Sequence, residues 1–357
     1  MNSSSYLTCP LYPKIRIWCG ISSIGFNLFL PWIIFFLITF KVISPPGESV
    51  GTIFLTILFY FCFVFFVNGP LDFITGFLLE KKSRRYSYSY QQWISQWLAG
   101  SFFFIILQTV GGCFLYFMLA KAGYGFFIGI LLLIVAAVVV QRWHFFLIPS
   151  LLKKSYSLSH EYFSQLSQEL FSLGLQKMIE EGILYFYESE DGVSVNGGSI
   201  GWGAQRRYMI SSASAALLNP RELALLIWRD EKIIGSQEIR KHFYCSWIYC
   251  VVGLVGAYCV VFNMKLPLFW SQWLLLLSLL SSWFFLALFL LPSYSRKKHF
   301  LADAQVIRHG VDKQEYSALL NKLQNLNNSE YKTSTAIETV FHPIPTLDSR
   351  LQQLDRL

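Results

Sequence analysis

The sequence predicts an α-helical multi-pass membrane protein, with about six spans that enclose one modest water-facing α+β domain. Three observations carry this reading. Of 357 residues, 54% are hydrophobic and only 14% are charged, against ~25% charged in soluble domains. The chain therefore lacks the charge to cover a water-facing surface, and its mean hydropathy of +0.45 agrees. Aromatic residues reach 18%, with 33 Phe and 11 Trp, which suits lipid-facing helices with interfacial anchors. Finally, six stretches come close to the ~20 mostly apolar residues that a spanning helix needs.

Those stretches are Ile17–Phe40, Val50–Val67, Leu98–Ala120, Gly123–Trp143, Tyr244–Phe262 and Phe269–Leu291. Each must be helical, because every backbone amide in lipid has to be paired within the segment. Pro31 interrupts the first run and is expected to kink it. That run is too long for a signal peptide and no small-residue cleavage site follows it, so it reads as an anchor.

Flanking charge sets the orientation. With the N-terminus inside, the cytoplasmic flanks collect Lys14 and Arg16, then Lys81, Lys82, Arg84 and Arg85, then Lys153 and Lys154. Arg240, Lys241, Arg296, Lys297 and Lys298 complete that side, while the opposite face receives only Lys41, Lys121 and Lys265. Both termini and the long insert between the fourth and fifth spans are therefore expected to be cytoplasmic. The expected membrane is the bacterial cytoplasmic one, from the compact size and from Leu357 carrying no retention signal.

Two domains follow. Residues 1–152 form a four-span membrane domain, and residues 153–357 form a second domain interrupted by spans at 244–262 and 269–291. The polar parts are a loop at Asn68–Gln92, the insert Lys153–Phe243 and a tail from Pro292 to Leu357. The insert opens with a helical pattern from Ser159 to Glu181, in which Phe163, Leu166, Leu170, Leu173 and Met178 recur at near-helical spacing. Ile183–Glu188 and Arg206–Ser211 read as strands, and the Gly-rich Asn196–Gly203 between them as a turn or irregular edge. Asn219, Pro220 and Glu222 then supply a cap, a proline at the first helical position and a glutamate at the third. That helix should run from Pro220 to about Ile234.

Composition excludes several functions. The net charge of +8 sits in short clusters beside apolar runs rather than along one polar face, so it reports topology and not nucleic-acid binding. Six of the seven cysteines lie inside apolar runs and no C-x-x-C pair exists, which argues against a thiolate zinc site or a disulfide framework. There is no G-x-S-x-G elbow, no phosphate-binding G-x-x-x-x-G-K-[ST] loop and no paired intramembrane carboxylates. Arg142 and His144 fall at an interface, where snorkelling accounts for them. The Tyr86–Tyr90 alternation with Ser reads as part of an aromatic belt.

At the Pro220 helix the order of elements resembles the integral-membrane zinc metallopeptidases of the CAAX prenyl protease and heat-shock membrane protease type. Pro70 followed by Glu80-Lys81-Lys82 and Tyr86-Ser87 looks like the loop after that family's early helices. Phe146–Leu152 looks like the lead into its catalytic domain. Asn196 and Gly201, then Arg206-Arg207, are similar to its substrate-edge strand and the strand that follows. Glu222-Leu-Ala-Leu resembles the opening of its active-site helix, and Ala302-Asp303 with Gly310 resembles its second active-site helix. His342-Pro343 with Arg350-Leu351 resembles its terminal His-Pro…Arg signature, which implies a structural role for His342, Pro343 and Arg350.

The resemblance implies a zincin-like domain with His-Glu-x-x-His on one helix, where two histidines bind zinc and the glutamate activates the bound water. Carried over position by position, that motif falls on Arg229, Asp230 and Ile233. The third-ligand position is His299, and the aspartate four residues later is Asp303. Arginine offers a metal no lone pair, isoleucine has no ligand atom, and Asp230 is one methylene shorter than glutamate. These are degenerate active-site positions. Zinc is expected of the family and is not supported by these residues, so no cofactor and no catalytic residue are assigned.

Three function classes remain open at this level. The first is a catalytically inactive pseudoprotease that binds or regulates a membrane protein or an unfolded polypeptide segment, with the lipid bilayer as its constant partner. The second is an active metalloendopeptidase with a non-standard zinc site, and the third a small transporter-like scaffold. The first carries a specific expectation: Asp303 should face the Arg229 guanidinium and pair with it, with Asp230 and His299 close enough for a second polar link.

Overall fold

The structure is a computed structural model, and it describes residues 12–47, 49–82, 89–120, 157–188, 195–200, 206–234, 236–264, 269–327 and 331–357, with single residues 135, 266 and 329. Most of the expected fourth span, Phe146–Leu152, Gly201, and the basic pairs at 84–85 and 153–154 lie outside the described residues. The chain divides into two compact units. One comprises residues 14–137 and 247–287, and the other residues 1–13, 138–246 and 288–357.

The first unit is built from long apolar helices. Helix α1 covers Tyr12–Thr39 and continues through Pro31. Helix α2 covers Val50–Lys82, includes a π-helical turn at Ile74–Leu78 and runs through Pro70. Helix α3 covers Tyr90–Ala120. The loop expected at Asn68–Gln92 is thus largely helix. Pro70 gives up one amide without ending α2, as spanning helices tolerate where neighbours re-pair the backbone.

Five helices among the described residues are long and apolar enough to cross a membrane, the last two lying within Tyr244–Met264 and Trp270–Arg308. Their outward faces are apolar, with Phe59, Phe66 and Phe102 more than half exposed, as expected of faces that meet lipid. The unit's own core gathers Ile57, Tyr116, Val261, Trp270, Trp273 and Leu276. Gly253 lets a helix approach closely, because a Cβ there would collide with the Trp283 indole. Trp283 Nε1 donates to the Tyr249 carbonyl at 3.0 Å, and the two rings stack at 4.7 Å. Cysteines 62, 245 and 259 are exposed and 19, 113 and 250 half-buried, so these six behave as small apolar residues on helix faces rather than as buried ones.

The second unit is α+β. Helix α4 is His160–Ser172, capped by Ser159, and α5 is Gln176–Glu180. Between them Gly174 adopts φ +74, a left-handed conformation that ends a helix. The single pattern read over Ser159–Glu181 is therefore two helices. Leu166, Leu170, Leu173 and Met178 are buried as their spacing predicts, whereas Phe163 is exposed.

Strands β1 (Leu184–Tyr187), β2 (Gly197–Ile200) and β3 (Arg207–Ser211) form one sheet in the order β1-β3-β2. β1 runs parallel to β3 and β2 antiparallel to it, with Ser199 opposite Tyr208. Within the segment read as a turn or irregular edge, Gly197–Ile200 is hence a strand: its glycines lack β propensity, but the ladder to β3 supplies the pairing.

Helix α6 (Ser212–Leu217) precedes α7 (Pro220–Ile234). The capping box of α7 is complete, with Glu222 N donating to Asn219 Oδ1 at 2.8 Å and Asn219 N to Glu222 Oε2 at 2.9 Å. Leu223, Ala224, Leu225, Ile227 and Trp228 are all buried, so α7 runs through the middle of this unit's core.

Helix α8 (Ser236–Met264) and helix α9 (Phe269–Arg308) each contain one of the boundaries between the units. The sequence placed a polar tail from Pro292, but α9 continues unbroken past it to Arg308. Its 40 residues are ~60 Å long, about twice the ~30 Å hydrocarbon core. The apolar run ends at Leu291, and Arg296, Lys297 and Lys298 follow. The last turns of α9, with His299 and Asp303, therefore stand beyond the membrane-spanning part. Helices α10 (Lys313–Asn327), α11 (Thr335–Phe341) and α12 (Leu347–Asp355) complete the unit.

Candidate functional site

Four helices and one strand build the cluster around the sequence-selected Arg229, Asp230, His299, Asp303 and Arg350. α7 delivers Arg229 and Asp230 side by side. α9 delivers His299 and Asp303, one turn apart on one face. Tyr316 comes from α10, Arg350 from α12 and Tyr208 from β3.

Asp303 is the hub, with 1% side-chain exposure. Its Oδ1 accepts from Arg229 Nε at 2.7 Å, from Tyr316 Oη at 2.6 Å and from Arg350 Nη2 at 2.9 Å. Its Oδ2 accepts from Arg350 Nε at 2.7 Å. The carboxylate thus sits between two guanidinium groups. Burial pushes its pKa up, but the Arg229 and Arg350 charges outweigh burial and hold it well below the usual carboxylate range.

Arg229 spreads its remaining donors over both other candidates. Nη2 lies 2.6 Å from His299 Nδ1, and Nη1 donates to Asp230 Oδ1 at 3.3 Å. A guanidinium can only donate, so His299 Nδ1 accepts and the ring is the neutral tautomer protonated at Nε2. Burial, then the Arg229 and Arg350 charges, lower its pKa to about 3. Asp230 accepts on Oδ2 from Tyr208 Oη at 2.7 Å, and burial raises its pKa against the pull of Arg229. The second polar link between Asp230 and His299 therefore runs through Arg229.

Beside this cluster Glu231 takes both terminal nitrogens of Arg206, at 2.8 Å for Nη1. Arg206 also donates to Ser199 Oγ on β2, so α7 holds the sheet edge through an ion pair. Asn196 anchors the same edge, its carbonyl accepting from Ser214 Oγ and from Ser211 N. Ile233 lies in α7.

The terminal segment closes against the same unit. Arg296 Nη1 donates to the carbonyls of Glu338, Thr339 and His342. Glu338 in turn accepts from Thr346 N and Ser349 Oγ, at 2.9 Å each. Arg350 of α12 reaches Asp303 with two nitrogens. Pro343 is exposed, and Pro345 is the buried proline of this turn.

Sequence reasoning does not reach Tyr208 or Tyr316, and it finds Arg206 only as part of a strand motif, without its partner Glu231. Tyr316 precedes the buried Leu319 and Leu320 at helical spacing and reads as one more core residue. Nothing local marks the partner that its hydroxyl finds.

The donor set does not suit the zinc that the resemblance implies. Arg229 supplies a cation where a ligand lone pair is needed, the His299 nitrogen beside it is already accepting from that cation, and both Asp303 oxygens are taken. Among the described residues no three His, Cys, Asp or Glu side chains converge as a metal site.

The sequence matches no family model and no curated protein. The structure does match a solved one, the crystal structure of S. mikatae Ste24p. The TM-score is 0.62 over 96% of this chain and 99% of that one, at 15% identity. The resemblance read from scattered motifs thus has a three-dimensional counterpart along nearly the whole chain. This protein has the fold of Ste24p, an integral-membrane zinc metalloprotease of the CAAX prenyl protease type.

Proposed function

We propose that this chain is a catalytically inactive homologue of such a membrane metallopeptidase, retained to hold or regulate a membrane protein or polypeptide segment. The observation that carries the reading is the buried Arg229 guanidinium. It is bonded to Asp303, His299 and Asp230, the positions to which the resemblance assigns the zinc-supporting aspartate, the third ligand and the general base. A permanently protonated group in that place repels a divalent cation, and its four-membered pairing leaves no carboxylate poised over an open metal position. The Lys and Arg distribution supports a cytoplasmic location for this zincin-like unit and for both termini. Reporter fusions after Glu48 and Ser189 check this, and a cytoplasmic signal at Glu48 or an external one at Ser189 would overturn it.

The functional reading is tested on the purified full chain by elemental analysis, together with incubation with unstructured and lipidated peptides in the presence of added zinc. The expected result is intact peptides and zinc far below one equivalent per chain. Near-stoichiometric zinc that is lost on His299→Ala, with cleavage abolished by chelation, would overturn it.

A further inference from the structure

The membrane unit contains a cavity of about 580 Å³ that the site above does not use. Four helices line it at helical spacing: Ser23, Asn27 and Pro31 on α1; Val64, Asn68 and Asp72 on α2; Gln108 on α3; Leu277, Ser281 and Phe284 on α9. Such spacing puts each set on one helix face; Asn68 is buried and Ser23, Asp72 and Ser281 are half-buried, while Asn27 and Gln108 at the rim are exposed.

Most of the polar groups satisfy one another. Ser23 Oγ donates to Asn68 Oδ1 at 2.7 Å, Asn68 Nδ2 to the Val64 carbonyl at 2.8 Å and Asn27 Nδ2 to the Ser23 carbonyl at 2.8 Å. Asp72 is different. Among the described residues it is the one charged lining side chain, with no Lys, Arg or His beside it there. Its partner is a neutral donor, Trp97 Nε1, at 3.1 Å from Oδ2. A carboxylate within a spanning helix is costly unless a cation meets it, and indole supplies no charge.

The cavity is also graded along its length. Asp72 lies nine residues before Lys81, about 14 Å along α2, toward that helix's basic end. Tyr60 and Phe61 line the far end, ~18 Å deeper, where Leu277 adds apolar surface. The volume lies within the ~300–1,000 Å³ of small-molecule sites. Described lining residues that carry one negative charge and no positive one select against fatty acids and phosphate headgroups.

We propose that this cavity binds a single-chain amphiphile with a cationic amine head, its ammonium on Asp72 and its chain running between α2 and α9 toward Tyr60 and Leu277. The site is independent of the degenerate metal positions, so the proposal stands whether or not the chain is a peptidase.

The test uses the full chain in nanodiscs and tetradecylamine carrying a photoreactive diazirine at its tail end. Labelling should map to residues 60–65 and 277–284, and excess tetradecylamine but not tetradecanoate should compete it away. Asp72→Asn should cut labelling about tenfold through loss of one charge-assisted contact, and Val64→Trp, which fills the cavity, should block it. Label spread over the exposed Phe59, Phe66 and Phe102 would overturn the proposal, as would equal competition by tetradecanoate. If Asp72→Asn does not accumulate, the competition arm and Val64→Trp still decide between these outcomes.

Discussion

Replacing Asp303 by alanine is expected to lower the unfolding free energy by about 3–5 kcal/mol, the range for removing one partner of a buried ion pair. The cost does not come from the attraction alone. Asp303 accepts from Arg229, Arg350 and Tyr316, so its loss leaves two guanidinium groups facing each other in a buried site. Their side chains are only 8% and 11% exposed, and water cannot readily take over. Asp303→Asn should cost less, since it keeps one acceptor while losing the charge. Unfolding of the purified variants in mixed micelles checks the order, and an Asp303→Ala protein as stable as the parent would defeat the reading.

The same cluster gives the protein a pH dependence. His299 is neutral in the fold with its pKa lowered to about 3, against ~6.5 when unfolded. Its contribution is complete above about 6.5 and is lost as pH falls toward 3, because the unfolded chain takes up the proton first. Asp303, also depressed, adds in the same direction below about 4. Asp230, raised by burial, has the opposite sign and offsets part of the loss at the acid end.

Truncation before Phe341 should be more damaging still. It deletes α12, and with it Arg350 and the buried Leu347 and Leu354. Each such leucine contributes about 1.5–3 kcal/mol, and removing Arg350 leaves Asp303 one cation short. Together these approach the ~5–15 kcal/mol that holds a whole domain, so the truncated chain is expected to fail to accumulate in membranes. Arg350→Ala alone should be intermediate. A truncated chain with unchanged yield and thermal stability would show that the terminal segment is not structural.

What the sequence made legible follows from what each signal depends on. Five of the six long apolar runs, the Asn219–Glu222 cap and the Leu166/Leu170/Leu173/Met178 stripe are local signals that the described residues contain, while most of Gly123–Trp143 lies outside them. Pro70 and Pro292 misled because their effect depends on neighbouring helices: both sit inside continuous helix where a break was expected. Gly197 and Gly198 read as a turn because their strand is formed only by pairing with β3. The Arg229–Asp303 pairing is legible through the resemblance, which puts both residues beside one implied metal. Tyr316, Tyr208 and Arg206 carry their meaning through partners 13 to 25 residues away, which no spacing rule reaches. Asp72 falls in the segment the sequence reads as a loop, because α2 outlasts its apolar run and continues to Lys82.

The central claim is that an arginine–carboxylate bridge joins α7 to α9 where the resemblance implies a metal would. A double-mutant cycle between Arg229→Ala and Asp303→Ala, read as unfolding free energy, tests it most directly. The two residues touch and share partners, so the double variant should be more stable than the sum of the single losses implies, by about 1–3 kcal/mol. Losses that simply add, within ~0.5 kcal/mol, would contradict the claim and leave the two helices held by something else.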